Sequence, residues 1–297
     1  MTMDAKALLL NALDTRSKKY RSELKRCRAE FSEEAVHDVR VAARRFLAFF
    51  DLLRSLLPHV RIQKIRRALK NQLDELDDLR DAQVLLADIS EYIHEVPDLE
   101  VFREYLEKKE RKYLRAARKM VASHKAGNLS ERVEKTRAIL VELPEEGLAQ
   151  GLLEAADEAY ARVLRLYHSV DAERVATIHK LRIAFKRFRY TVEVINPLLE
   201  NFPLDNFEHM HDYQSMMGDI QDMEVALEGL ADLMDALQKP DPESPRSLWE
   251  LDKAKALSIH EHYASRFRNA LLAFLEDKGE VLTFWRPAPE GSFPWEK

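Results

Sequence analysis

Disulfide pairs, glycine-rich turns and long apolar runs are all missing from this chain. Cys27 is the single cysteine among 297 residues, so no intramolecular disulfide can form and a reducing compartment is expected. Only seven glycines are present, and no stretch alternates apolar and polar residues as a half-buried strand does. No apolar run reaches the ~18 residues that a membrane span needs. The opening MTMDAKALLLNALD carries acids and no long apolar run, so no signal peptide is expected and the sequence reads as cytoplasmic. An overall positive field is missing too. Forty-seven Lys and Arg stand against 52 Asp and Glu, a net charge of −5, with a pI of about 6.1. Such a field does not draw in nucleic acid or anionic membrane, so any anion site must be a local cluster of cations.

What the chain has in quantity is charge on an apolar frame. Hydrophobic residues make up 46% and charged residues 33%, a mix that favours long helices with a buried and a solvated face. The breaks are few. Pro58, Pro97 and Asn196-Pro197 each end a helix, since proline cannot continue the backbone ladder. Ser123–Ser130 is polar around Gly127, Glu142–Gly151 holds Pro144 and Gly147, and Lys239–Ser247 (KPDPESPRS) is the clearest loop. Between them the periodicity predicts helices over 3–29, 32–57, 60–95, 98–122 and 129–141, then 148–169, 172–195, 203–237 and 247–278. The irregular tail Phe284–Lys297 is aromatic and is expected to pack back on the body. The expected fold is all-α, with four long antiparallel helices in each of two halves, 1–141 and 148–297.

The halves repeat. His37-Asp-Val-Arg40-Val-Ala-Ala-Arg44-Arg45-Phe46 aligns with His179-Lys-Leu-Arg182-Ile-Ala-Phe-Lys186-Arg187-Phe188 at an offset of 142 residues. Downstream, Leu76-Asp-Asp78-Leu-Arg80-Asp81 aligns with Met217-Gly-Asp219-Ile-Gln221-Asp222 at an offset of 141. Two matches at nearly one offset point to a duplicated unit, and duplication brings equivalent surfaces together.

On a helical wheel, Val39, Ala42, Phe46, Phe49, Phe50 and Leu53 form a core stripe. His37, Arg40 and Arg44 lie within about 60° of one another on the opposite side, flanked by Arg45. In the second copy Leu181, Phe185, Phe188, Val192 and Ile195 make the core stripe, while His179, Arg182, Lys186 and Tyr190 line the far side, flanked by Lys180, Arg187 and Arg189. Surface cations on helices usually have carboxylates three or four places away. Arg40, Arg44, Arg45, Lys180, Arg182, Lys186 and Arg187 have none; Arg189 has Glu193. Cations segregated in this way repel one another, and a bound polyanion relieves the repulsion. The planar donor fork of arginine suits phosphate oxygens. Ser32 is expected to cap the first of these helices, ahead of Glu33 and Glu34. His37 and His179 stand near the helix starts, where a protonated imidazole donates to an anion. A solvated helix face is the plain alternative for either stripe alone, and the repeat weighs against it. One histidine per motif with no His or Cys nearby is poor ligand spacing, so no metal or other cofactor is expected. Arg16, Lys70, Arg111, Lys112, Arg115, Arg118, Arg162 and Arg165 lie on other predicted helices; most of them belong to surfaces with acids close by.

The doubled H-x2-R-x3-[RK]-R pattern, each copy followed by a helix near L-x2-L-R-D or its degenerate second form, resembles the CHAD domain, the conserved histidine α-helical domain. The resemblance covers nearly the whole chain, without the CYTH triphosphatase domain that often accompanies it. It implies one domain over 1–297, built as two four-helix bundles related by a pseudo-two-fold axis with a basic groove between them. It implies non-catalytic binding of inorganic polyphosphate, or a similar phosphate-rich polyanion. Its implied binding residues are His37, Arg40, Arg44 and Arg45 with Arg80 from the first copy, and His179, Arg182, Lys186 and Arg187 from the second, to which the wheel adds Lys180, Arg189 and Tyr190. Association with polyphosphate granules or polyphosphate-metabolising enzymes follows from the same resemblance. The copies differ: Gln221 replaces Arg80, and Leu47 and Ala48 stand where the second copy has Arg189 and Tyr190. The second-half side is therefore expected to be the more basic.

Three other function classes compete, one of them a helical scaffold that binds acidic protein segments. A phosphohydrolase or phosphotransferase needs carboxylates clustered on a metal, and Asp77, Asp78, Asp81, Asp219 and Asp222 are the only tempting set. No P-loop pattern is present, and Glu131-Arg-Val-Glu134-Lys135 has the wrong spacing for the E-x-E-x-K signature of CYTH enzymes. A nucleic-acid-binding helical protein would use the same cations on a phosphate backbone. The motif's aromatics, however, sit on the core face and do not interleave with the cations, which leaves base stacking without support.

Overall fold

The computed structural model describes residues 4–123, 126–199, 202–237, 246–277 and 279–285. The described residues hold no strand. They form α1 (Ala5–Glu30), α2 (Glu33–Leu56), α3 (Val60–Tyr92), α4 (Leu99–Ser123), α5 (Ala126–Val141), α6 (Leu148–Tyr167), α7 (Ala176–Ile195), α8 (Asp205–Leu237) and α9 (Arg246–Glu276), with short 3-10 turns at Asn196–Leu198 and Glu280–Thr283. The all-α expectation holds, and each expected helix is present. Most of the expected loop at 239–247 lies outside the described residues.

Local chemistry sets the boundaries. The Ser32 side chain accepts from the Ala35 N–H at 3.2 Å and caps α2 ahead of Glu33 and Glu34, as a short hydroxyl at the N-cap does. α7 begins at Ala176, four residues later than the periodicity predicts. Asp171 explains the delay. Its carboxylate takes the Glu173 N–H at 3.0 Å and the Arg174 Nε at 2.6 Å, and its own N–H donates to the Thr177 hydroxyl at 3.0 Å. These local bonds offer the backbone an alternative to the helix.

Contacts divide the chain into two compact units. Of the described residues, the first comprises those within 4–76, 120–214 and 279–285, and the second those within 77–119 and 215–277. The expected division into 1–141 and 148–297 does not coincide with these units, since each draws on both halves. Long helices α3 and α8 each contribute to both, so the 142–147 connection is not a boundary between units.

In the first unit, α1 packs on α2 and α6 on α7. Tyr20 lies against Phe46 with ring centroids 6.0 Å apart, and Tyr160 against Phe188 at 5.6 Å, at interplanar angles of 40° and 41°. Phe46 and Phe188 are equivalent positions of the two motifs. Gly279 has φ +62°, and a Cβ there would meet the Tyr167 ring at 3.0 Å, so this turn needs glycine. Beyond it the chain returns to the unit. Trp285 is fully buried, donates to Asp157 at 2.9 Å and meets Phe188 edge-on at 5.4 Å. The Tyr160 hydroxyl donates to the Leu282 carbonyl at 2.6 Å. The tail packs back as far as Trp285; residues 286–297 lie outside the described residues.

In the second unit, Ile89, Leu99, Phe102, Leu230, Ile259 and Tyr263 form a core among α3, α4, α8 and α9. Arg266 makes a bidentate pair with Asp88, both bonds 2.7 Å long, and lies over the Tyr92 ring at 4.2 Å. Tyr263 also donates to Asp88, at 2.8 Å. This polar knot fixes α9 to α3 beside the apolar core.

Candidate polyanion site

Both motif helices, α2 and α7, lie in the first unit and pack against each other. Their basic stripes therefore converge. Lys186 of α7 stands in the field of Arg44 and Arg40 from α2 and of Arg182 and Arg189 from its own helix. Burial is the largest influence on its ammonium, and the four guanidiniums add repulsion. Together they push its pKa down to about 6, because low dielectric and like charge both disfavour the protonated form. At neutral pH the unliganded protein thus holds Lys186 largely uncharged. Arg40 and Arg182 are equivalent motif positions, as are Arg44 and Lys186, so each helix supplies the same two places to one cluster.

Two ion pairs cross between the two helices. Arg45 Nε lies 3.6 Å from Glu193 Oε2, and Arg187 Nη2 lies 3.0 Å from Asp51 Oδ1. Asp51 and Glu193 are themselves separated by the 142-residue offset. Each arginine finds its carboxylate on the other motif helix, which corrects the expectation of cations without acidic partners. Spacing along one helix shows only intrahelical neighbours and is blind to a partner delivered across a packed pair. Asp51 also receives Arg66 Nε from α3. Arg189 pairs with Glu193 as expected, at 3.3 Å, and its Nε donates to Gln214 of α8 at 3.2 Å. Arg16 of α1 joins the same neighbourhood. Burial lowers its pKa most, Glu193 opposes this and Arg45 adds to it. Gln214 carried no signal in the sequence, and Arg16 was one basic residue among many.

The far side of the wheel is not a free face. Arg40 is only 2% exposed, and its Nη1 donates to the Leu73 carbonyl at 3.3 Å. Arg189 and Tyr190 are each 8% exposed, with the Arg189 guanidinium 4.9 Å from the Tyr190 ring centre. Further helices cover both sides of α2 and α7, so a residue opposite the core stripe can still be interior. His37, Arg45, His179 and Lys180 are exposed, whereas Arg44, Arg182, Lys186 and Arg187 are half-buried. Arg80 is half-buried on the part of α3 that belongs to the second unit. The carboxylates considered for catalysis also lie in that unit. Asp78 and Asp81 line one cleft with Lys109 and Asp232, and Asp219 and Asp222 line another with Asp88 and Arg266. Among the described residues no group of three or more His, Cys, Asp or Glu could hold a metal ion, and no helix is long and apolar enough to cross a membrane.

Lys186 makes stability depend on pH with a defined sign. Between about 6 and 10.5 its amine is neutral in the folded chain and protonated in the unfolded one. Unfolding takes up a proton across that window, so stability rises with pH, by at most about 1.4 kcal/mol per pH unit for one group. Replacing Lys186 with Met is expected to flatten this rise between pH 6 and 9 and to stabilise the protein most at the acid end. Denaturant midpoints of both proteins at the two pH values provide the check. Equal pH dependence in both would contradict the assignment.

A scan against protein families matches residues 11–231 to the CHAD domain model. Among solved structures, the crystal structure of the CHAD domain from the plant Ricinus communis is similar, with a TM-score of 0.68 and 19% identity over 92% of this chain and 94% of that one. PptA from Streptomyces chartreusis is similar as well, with a TM-score of 0.69 and 16% identity over 91% of this chain and 98% of that one. At these identities the likeness is one of fold. No curated protein matches the chain. The family model spans well over half of the sequence and contains both basic motifs, and the protein belongs to the CHAD domain family.

Proposed function

We propose that this protein binds inorganic polyphosphate, or a similar phosphate-rich polyanion, without breaking it down, along the seam where α2 and α7 meet. The observation that carries the reading is the crowding of Lys186 by four arginines drawn from both helices. Such an arrangement is unfavourable by itself. A linear polyanion supplies regularly spaced negative charge, releases counterions and lets Lys186 take up its proton again. Arg44, Arg182 and Lys186 are the half-buried members of the cluster and the proposed grip on the phosphates. The exposed His37, Lys180 and His179 near the helix starts extend the path. Arg40 and Arg189 act from behind, as fixed positive charge anchored to Leu73 and Gln214. Granules and polyphosphate-metabolising enzymes in the cytoplasm are the partners that this ligand implies.

The non-catalytic part of the proposal rests on the placement of the carboxylates. The acidic pairs 78/81 and 219/222 line separate clefts of the second unit, whereas metal-assisted phosphoryl transfer needs clustered carboxylates. A nucleic-acid ligand finds no favouring observation, since Tyr190 is buried beneath Arg189 and not offered for stacking.

Fluorescence titration with long-chain polyphosphate across a salt series tests the binding. Affinity is expected to fall steeply as salt rises. Arg44→Ala and Lys186→Ala are each expected to weaken binding by about tenfold or more, the size of a lost charge-assisted contact. Because both grip one ligand, the double variant is expected to depart from additivity. Affinity indifferent to salt, or two short polyphosphates per chain each lost with only one helix's variant, would overturn the shared seam. A separate assay with Mg²⁺ or Mn²⁺ is expected to release no phosphate from polyphosphate or ATP. Release abolished by Asp78→Ala or Asp81→Ala would instead establish an enzyme.

A further inference from the structure

A second cationic cluster lies in the first unit, and its members differ from those around Lys186. A cavity of about 440 Å³ opens between the C-terminal part of α2, α6 and α7, and Arg54, Arg162, Arg165 and Arg187 line it with Asp51 and Glu158. The volume falls in the range of small-molecule sites. Arg187 is held below the ordinary guanidinium range, first by burial and then by repulsion from Arg54, Arg66 and Arg162, with Asp51 opposing them. The arginines that weigh most on Arg187 differ from those that weigh most on Lys186. The two clusters thus draw chiefly on different guanidiniums, although Lys186 and Arg187 are neighbours in the chain.

The charge in this cavity is not balanced. Asp51 is already shared by Arg66 and Arg187. Among the described residues, Arg54, Arg162 and Arg165 make no ion pair, although all three face one cavity. Arginines from three helices around one partly open cavity can surround several phosphates at once. The floor is of a different kind: Ala155, Ala159 and Ala184 present methyl groups between the arginines. A bare phosphate chain gains nothing from methyl groups, whereas a small organic body rests on them.

We propose that this cavity is a separate site for a compact anion bearing two or more clustered phosphates, distinct from the polyphosphate seam. The reading does not rest on the seam, because none of the arginines that crowd Lys186 lines the cavity.

Calorimetric titration of the full chain tests it, with fructose 1,6-bisphosphate as the ester probe and pyrophosphate as the anhydride probe. One equivalent of either probe is expected to bind, and the stronger of the two identifies the source of the phosphates. The Arg162→Ala, Arg165→Ala double variant is expected to weaken that probe by about tenfold or more while leaving long-chain polyphosphate unchanged. Both positions are exposed and make no ion pair, so the thermal midpoint should hold and a binding loss would not reflect unfolding. Arg44→Ala should show the converse pattern. The proposal is overturned if neither probe binds, if the bound probe is lost with Arg44→Ala instead, or if the double variant weakens long-chain polyphosphate as much as the probe. The last result would make the cavity part of the polyphosphate path. A failure of polyphosphate binding alone leaves the probe result standing, so the two readings fail separately.

Discussion

Repulsion among like charges at the α2–α7 seam is the constraint around which the first unit is organised. Lys186 sits half-buried where four guanidiniums act on it, and its amine is held largely neutral as a result. A protein gains nothing in stability from such a cluster, since burial and like charge both disfavour it. A bound anion would relieve the repulsion on Lys186 and let its amine take up a proton.

The rest of the unit contains that repulsion. Aromatic packing around Phe46 and Phe188 provides apolar burial on the core side of both motif helices. The crossed pairs Arg45–Glu193 and Arg187–Asp51 tie the two motif helices together. Arg40 is satisfied by a backbone carbonyl of α3, and Arg189 by Gln214 and Glu193. After burial, the influences that weigh most on Lys186 are all guanidiniums. The returning tail, through Trp285 and Leu282, adds a further brace on the α6–α7 side.

Much of this was legible in the sequence, because helices leave strong periodic signals. Proline and the Ser32 cap marked the boundaries, and the 142-residue offset paired Arg40 with Arg182 and Arg44 with Lys186. The delayed start of α7 was hidden because it depends on the side-chain bonding of Asp171. The burial of Arg40, Arg189 and Tyr190 was hidden for a different reason. A helical wheel separates two faces but does not say whether a second set of helices covers the polar one. Partners at long range were equally invisible: Asp51 and Glu193 looked like ordinary helix acids until the packing delivered each to the other helix's arginine. The division into units also escaped a reading by halves, because α3 and α8 each serve both units.

The central claim concerns one amine, and its titration can be followed directly. NMR of the Lys186 side chain, labelled at Cε and Nζ, reports its pKa in the free protein and in the presence of long-chain polyphosphate. The account predicts a value near 6 in the free protein, and a rise of several units once phosphates counter the surrounding arginines. An ordinary lysine value of about 10.4 in the free protein, or a depressed value that polyphosphate leaves unmoved, would contradict it.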